Sequence, residues 1–253
     1  MNAFTVWVGL GSAMGLWRVW RLAPSRLSGA LLNTALLVLV AALLGARLAY
    51  VAVNAAYYRA SFWEIFQFWQ GGLSWPGALA GAALAIAATA SVYSTPRGRR
   101  VPFGWLADRL YPLLPPVAIT TWLGCWLAGA AYGAALPTGS WLGVPSPDET
   151  GATLPRFPVQ ILAALALLSF FALLELRFRP KRPHGALSAL ALVGLMFVQL
   201  GASLLRADSA PMLQGLRLDA WFAAAVLALL LLMALAHSLV PSLSRRQSVS
   251  DQT

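Results

Sequence analysis

A helix needs about 20 apolar residues to cross a bilayer. Seven stretches of this chain match that description: Phe4–Trp20, Leu31–Val53, Leu73–Tyr93, Leu110–Leu136, Val159–Leu176, Gly185–Leu205 and Trp221–Val240. Composition agrees. Of the 253 residues, 59% are hydrophobic before the 21 glycines are added, and 10% are charged. Soluble chains carry about 45–50% apolar residues with glycine included, and about 25% charged residues. So little charge excludes a soluble enzyme, a disordered tail and a disulfide scaffold. The chain is expected to be an all-α integral membrane protein, with one seven-span domain over residues 1–241 and a short polar tail over 242–253.

The net charge of +10 comes from 18 basic and 8 acidic residues. It calls for no nucleic acid partner, because cytoplasmic loops of membrane proteins collect Lys and Arg. The loop after the first span holds Arg21 and Arg26, with Arg18 at its edge. The loop after the third holds Arg97, Arg99 and Arg100, followed by Asp108 and Arg109. Arg177, Arg179, Lys181 and Arg182 follow the fifth, and Arg245 and Arg246 lie in the tail. The intervening loops balance their arginines with acids: Arg59 with Glu64, Arg156 with Asp148 and Glu149, and Arg206 and Arg217 with Asp208 and Asp219. This alternation predicts seven spans, the N-terminus outside and the C-terminus cytoplasmic. Met1-Asn-Ala-Phe-Thr has no basic region and reads as the start of the first span. One cysteine, Cys125, forms no intrachain disulfide.

Small residues recur four apart at Gly11/Gly15, Gly77/Gly81 and Gly129/Gly133. This spacing lets helix backbones approach in a membrane, and plain packing is its first reading. The aromatic stretch Tyr57–Trp69 is too polar to span and reads as an outer interfacial helix. Pro115-Pro116 predicts a kink in the fourth span.

Charged and amide side chains are costly in a bilayer, which makes them functional candidates. Arg47, in the second span, has two readings: a guanidinium snorkelling to the outer headgroups, or an inward one gripping a lipid phosphate. Arg206 sits at similar depth and reads as an anchor or a second phosphate ligand. Asp108 reads as a local pair with Arg109 or a carboxylate at a helix N-terminus. Gln160 and Gln199 can donate and accept between helices. His237 reads as interfacial. The spans contain no paired carboxylates, no metal-spaced His/Cys/Asp cluster and no Ser/His/Asp convergence. Neither His184 nor His237 lies in the outer half, so an outward-facing histidine base is lacking.

Five segments in order resemble the prolipoprotein diacylglyceryl transferase family. Gly71-Gly72-Leu73-Ser74-Trp75-Pro76-Gly77-Ala78-Leu79-Ala80-Gly81 is similar to its GG-[LM]-S-F-H-G-G-x-x-G segment, and Gly45-Ala46-Arg47-Leu48-Ala49-Tyr50 to its G-x-R-x-G-Y. Asp108 to Pro116 resembles D-x-x-x-P-x-x-P, Arg156-Phe157-Pro158-Val159-Gln160 resembles R-x-P-[ST]-Q, and Arg182 to Ser188 resembles R-P-x-G-x-[VL]-S. The resemblance implies a multi-pass protein of the bacterial plasma membrane. It implies transfer of a diacylglyceryl group from phosphatidylglycerol to the lipobox cysteine of a prolipoprotein signal peptide, with glycerol phosphate released and no metal or organic cofactor. It further implies a histidine base and arginines that hold the lipid phosphate, here Arg47 and Arg206. Asp108, Gln160 and Gln199 would be polar cavity residues, and Gly71, Gly72, Ser74, Gly77, Gly81 and Gly124 the motif scaffold.

The chain departs from this pattern at the chemistry. The family histidine falls at Pro76. The signature G-R-x-G-N-F-x-N-x-E falls on Thr121 to Ala130, with Trp122 for the Arg, Cys125 and Ala128 for the Asn residues and Ala130 for the Glu. F-R-x-x-x-E-x-x-R falls on Val198 to Arg206, where the last Arg alone is kept, and a tyrosine of the first span becomes Val8. Two functions remain open: a transferase with a rearranged site, or a non-catalytic lipid-binding or assembly subunit on the same fold. No protein partner is named by the residues. A small transporter is the weaker idea, since no internal repeat is visible.

Overall fold

The computed structural model describes residues 3–93, 100–148, 150–177 and 183–250, with the backbone alone for Gln70 and 237–250. Arg97, Arg99, Glu149, Arg179, Lys181 and Arg182, and the side chains of His237, Arg245 and Arg246, lie outside the described residues. Among these residues there are nine α-helices: α1 (Ala3–Leu22), α2 (Ser28–Val53), α3 (Ala55–Ala60), α4 (Trp75–Val92), α5 (Phe103–Leu110), α6 (Leu114–Leu127), α7 (Val159–Arg177), α8 (Ala186–Leu205) and α9 (Leu218–Ser250). Six segments are long and apolar enough to cross a membrane: Ser28–Val53, Trp75–Val92, Phe103–Leu127, Val159–Arg177, Ala186–Leu205 and Leu218–Ala236. The protein is therefore a helical, multi-pass membrane protein.

Helices pack in a membrane by close van der Waals fit, since lipid is as apolar as their side chains. Two glycine-lined seams show this. Gly77 and Gly81 of α4 lie against α2, where a Cβ on Gly81 would enter the Ala41 carbonyl and one on Gly77 would stand 2.5 Å from the Ala49 Cβ. Gly45 of α2 faces the Gly77 carbonyl in return. On α1, added Cβ atoms at Gly11 and Gly15 would meet the Pro116 carbonyl at 2.8 Å and the Leu113 carbonyl at 3.0 Å. The first two GxxxG pairs are thus helix seams. The third is not: Gly129 has φ +66° beyond the end of α6, and Gly133 pairs in an isolated bridge with Arg206.

Two apolar clusters follow from the seams. One gathers Val19, Leu31, Ala35, Val38, Ala85 and Leu106, joining α1, α2, α4 and α5. The other gathers Trp122, Val159, Leu167, Phe171, Met196 and Ala223, joining α6, α7, α8 and α9.

The fourth span differs from its expected Leu110–Leu136. It begins at Phe103, passes a 3-10 turn at Tyr111–Leu113 and ends at Leu127. Pro115 and Pro116 do not kink a continuous helix; they fall in the first turn of α6, where a missing N–H costs no internal bond. The far end stops because Gly129 and Ala131, at φ +66° and +56°, turn the chain out of the helix.

The expected interfacial helix over Tyr57–Trp69 is also broken. It consists of the end of α3 and two 3-10 turns, Phe62–Phe66 and Phe68–Gln70. The expectation of a purely α fold needs one addition, two small antiparallel hairpins. Strand β1 (Val144–Pro147) pairs with β2 (Thr153–Arg156), and β3 (Met212–Leu213) with β4 (Leu216–Arg217). Gln214 and Gly215, at φ +50° and +79°, make the two-residue turn that matches strand twist.

Candidate functional site

Arg47 is 3% exposed, and its guanidinium points into the protein. Its Nε donates to the Ile65 carbonyl at 2.9 Å, and Nη1 to the carbonyls of Gly71 at 2.7 Å and Gly72 at 3.1 Å. Nη2 donates to the Glu64 carbonyl. The Tyr58 and Phe68 rings flank it, at 5.3 and 6.0 Å. Local structure explains this arrangement. Short 3-10 turns leave the Ile65 carbonyl free for Arg47, while the Glu64 carbonyl also takes the Gln67 amide at 3.1 Å, and φ values of +91° at Gly71 and +67° at Gly72 reverse the chain beneath the guanidinium. A side chain at Gly72 would begin 2.6 Å from Nη1. The Ser74 amide then donates to the Ala46 carbonyl at 3.0 Å, tying the start of α4 back to α2. Snorkelling is not what Arg47 does; it organises the loop from Ser61 to Gly72.

A second polar knot lies where α8 ends. Arg206 donates from Nε to Asp208 at 2.8 Å and from Nη1 to Asp219 at 3.0 Å, and its Nη2 pairs with the second Asp208 oxygen. Arg217 reaches the Asp208 carbonyl at 2.7 Å and its carboxylate at 3.2 Å. Two guanidiniums face two carboxylates, so the knot is neutral. Beside it, Arg156 pairs with Asp148 at 3.1 Å and stacks 4.3 Å over the Tyr132 ring. Asp148 also accepts from the Thr150 hydroxyl at 2.6 Å and from the amides of Thr150 and Ala152. The Thr150 hydroxyl, ahead of those amides and Arg156 and against some desolvation, holds the Asp148 carboxyl below the usual carboxylate range.

The strap from Ala128 to Leu136 connects these parts. Gly133 bridges Arg206, Ala135 bridges Arg156, and the Ala207 amide donates to the Tyr132 carbonyl at 2.8 Å. Gln160, 1% exposed, donates to the Ala130 carbonyl at 3.0 Å. Gly124 faces Phe4 of α1, where a Cβ would stand 3.3 Å away. Gln199 is half-buried on α8. Trp122 is buried in the α6–α9 cluster, and Trp75 packs at its edge with its buried Nε1–H unpartnered.

Asp108 belongs elsewhere. Its carboxylate accepts from the Gly185 amide at 2.6 Å and from the Ser188 amide and hydroxyl at 2.8 Å. It caps the start of α8 from α5, as an anion at a helix N-terminus should, and does not bond its neighbour Arg109. Arg47 and Arg206 likewise have different partners, the first the carbonyls of residues 64–72 and the second Asp208 and Asp219. The sequence reading missed one cluster, at the end where α1 and α7 finish. Glu175 pairs with Arg18 and accepts from the Tyr111 hydroxyl at 3.2 Å. An acid two residues before Arg177, at the end of an apolar run, was the available signal.

Chemically, this arrangement neutralises its own charges. The buried arginines are spent on carbonyls or aspartates, and Pro76 offers no proton acceptor. Among the described residues no group of three or more His, Cys, Asp or Glu could hold a metal ion.

Comparison with known proteins agrees with the geometry of the spans. The prolipoprotein diacylglyceryl transferase family matches residues 1–236. Relatives named phosphatidylglycerol–prolipoprotein diacylglyceryl transferase include one from Methylibium petroleiphilum, 33% identical over 60% of this chain and 56% of its own. Another, from Nitratidesulfovibrio vulgaris strain DP4, is 32% identical over 73% of this chain and 70% of its own. A third, from Thermosynechococcus vestitus, is 30% identical over 71% and 65%. The chain spans just over half the length of the Methylibium relative. A match across residues 1–236 on a membrane-helix scaffold places this chain in the prolipoprotein diacylglyceryl transferase family.

Proposed function

We propose that this protein is a lipid-binding member of the diacylglyceryl transferase family that has lost the transfer step. It would serve the bacterial plasma membrane as a phosphatidylglycerol-binding or assembly subunit. The observation that carries this reading is the internal neutralisation of its buried charges. Transfer to a cysteine requires a group that removes the thiol proton and a cation free to stabilise the anionic leaving group. Arg206 and Arg217 face Asp208 and Asp219, and Arg156 faces Asp148. Arg47 is closed in by carbonyls. Pro76 stands where the family resemblance puts the base. Arg47 and Arg206 remain the cations nearest this role, and each would exchange an internal acceptor for a phosphate oxygen. Trp75 Nε1–H, buried and without a partner, suits a lipid ester carbonyl.

The same reading takes α1 as a seventh span. It is 20 residues long and joins the bundle through Gly11 and Gly15. Loop charge then puts the N-terminus outside, with the domain over 1–241 and the tail over 242–253 in the cytoplasm. A retained transferase is the second reading, supported by the family match over residues 1–236.

Complementation tests the choice. Cells depleted of their own transferase should not regain growth when this protein is present in their membranes at the level of an active control. Restored growth would overturn the proposal and favour the retained transferase.

A further inference from the structure

A second feature lies in the connection between α8 and α9. Four charges in that stretch, Arg206, Asp208, Arg217 and Asp219, suit a loop in water. The fold turns them onto one another instead. What faces outward is the β3–β4 hairpin, and it is apolar. Met212, Leu213 and Leu216 are 61%, 52% and 40% exposed, and no residue from Ser209 to Leu216 is charged. Successive side chains of a strand point to opposite faces. Burying Arg217 in the knot therefore sends Leu216 out.

The hairpin backbone suits a medium with little water. Leu213 pairs with Leu216, and the Leu218 amide donates to the Pro211 carbonyl at 2.9 Å. Trp221 Nε1–H covers the Leu213 carbonyl at 3.0 Å. Within a bilayer, backbone groups must find such partners inside the protein. The apolar surface is also continuous with the lipid-facing sides of two spans. Leu204, at the end of α8, and Trp221 and Phe222, near the start of α9, are exposed as well. Both helices are long and apolar enough to cross a membrane. Tryptophan, with an apolar body and one polar tip, is the residue that settles at the bilayer boundary. A two-stranded hairpin alone in water is marginal, and an apolar boundary gives this one a second surface to rest on.

We propose that the β3–β4 hairpin is seated in the membrane interface, with Met212, Leu213 and Leu216 inserted at the boundary between headgroups and acyl chains. The contact is with the bilayer as a surface and selects no headgroup. It fixes the Arg206–Arg217 knot at the bilayer surface, because Arg217 directly follows Leu216. It does not depend on whether transfer occurs.

The test uses the full chain in phosphatidylcholine vesicles that carry a nitroxide high on one acyl chain. Cys125→Ala removes the chain's own thiol. Met212→Cys, Leu213→Cys or, as a mid-span reference, Leu231→Cys then takes an environment-sensitive nitrobenzoxadiazole dye. Interfacial segments bury their apolar face roughly 5–10 Å into the headgroup and acyl boundary. Dye at 212 and 213 should therefore emit to the blue of free dye, be quenched by the nitroxide lipid and lose its quenching by aqueous iodide. Leu216→Asp, at an exposed position outside the knot, should restore iodide quenching at 213 and leave the reference at 231 unchanged. Iodide quenching at 212 and 213 as strong as that of free dye, without the Asp change, would place the hairpin in water and overturn the proposal. Protection from both iodide and nitroxide lipid would overturn it too, by showing a protein surface over the hairpin. So would quenching at 213 that Leu216→Asp leaves unaltered.

Discussion

Arginine does two different jobs at the two ends of this molecule. Arg47, Arg156 and Arg217 are 3%, 8% and 7% exposed, and each holds a carbonyl or a carboxylate that the fold has brought to it. At the other end Arg21, Arg26, Arg100 and Arg109 are exposed and make no ion pair among the described residues. A buried guanidinium needs an opposite charge or acceptors close by, because an uncompensated charge away from water costs several kcal/mol. An exposed one is solvated and costs nothing, and its value lies in the membrane surface it meets. Substitutions should therefore separate the ends: the first set should damage the fold, the second should leave it standing.

Arg47→Ala should have the largest effect. It removes the partner of the Ile65, Gly71 and Gly72 carbonyls in the loop from Ser61 to Gly72, at roughly 1–3 kcal/mol for each group left unpaired away from water. We expect no monodisperse protein by size-exclusion chromatography in detergent. Arg47→Lys should recover little, because a single ammonium has three donors and no planar fork. Asp208→Ala comes next. It removes the carboxylate shared by Arg206 and Arg217, and should lower stability by roughly 3–5 kcal/mol as for other broken buried pairs. A fall in the midpoint of thermal unfolding checks it.

Strong acid should loosen the β1–β2 hairpin. The folded-state pKa of Asp148 lies below its ordinary value, so its stabilising contribution is complete above the normal carboxylate pKa of about 3.9. It is lost as pH falls further through the depressed folded value. Amide exchange at Thr150 and Ala152 should rise over that acid range, and Asp148→Asn should abolish the change. The smallest effect on folding belongs to the opposite end. Arg26→Ser with Arg100→Ser should shift stability by no more than about 0.5 kcal/mol each, as ordinary surface changes do. A large loss of stability there would erase the contrast between the two ends.

Much of the scaffold was legible from the residues. Apolar run length located the six described spans, and the spacing of Gly77 and Gly81 anticipated the α2–α4 seam. What stayed hidden depends on backbone groups and distant partners. Arg47 could be singled out, but its acceptors are main-chain carbonyls from residues 64–72, and every residue has one. Asp108 is adjacent to Arg109 in sequence yet caps a helix 77 residues away. The strap after Leu127 misled because Ala-Gly-Ala-Ala is as apolar as a span; the positive φ at Gly129 and Ala131 ends the helix there. Gly129/Gly133 has the spacing of a helix seam without being on a helix. Spacing becomes geometry only once the backbone conformation is known.

The central claim is that this family member keeps the scaffold and has closed its charges upon themselves. Purified protein incubated with phosphatidylglycerol and a lipobox peptide tests it most directly, with the peptide mass read out. The account predicts an unmodified cysteine after prolonged incubation, beside an active transferase that converts the same peptide. A diacylglyceryl adduct that forms with this protein and disappears on Arg206→Ala would contradict it.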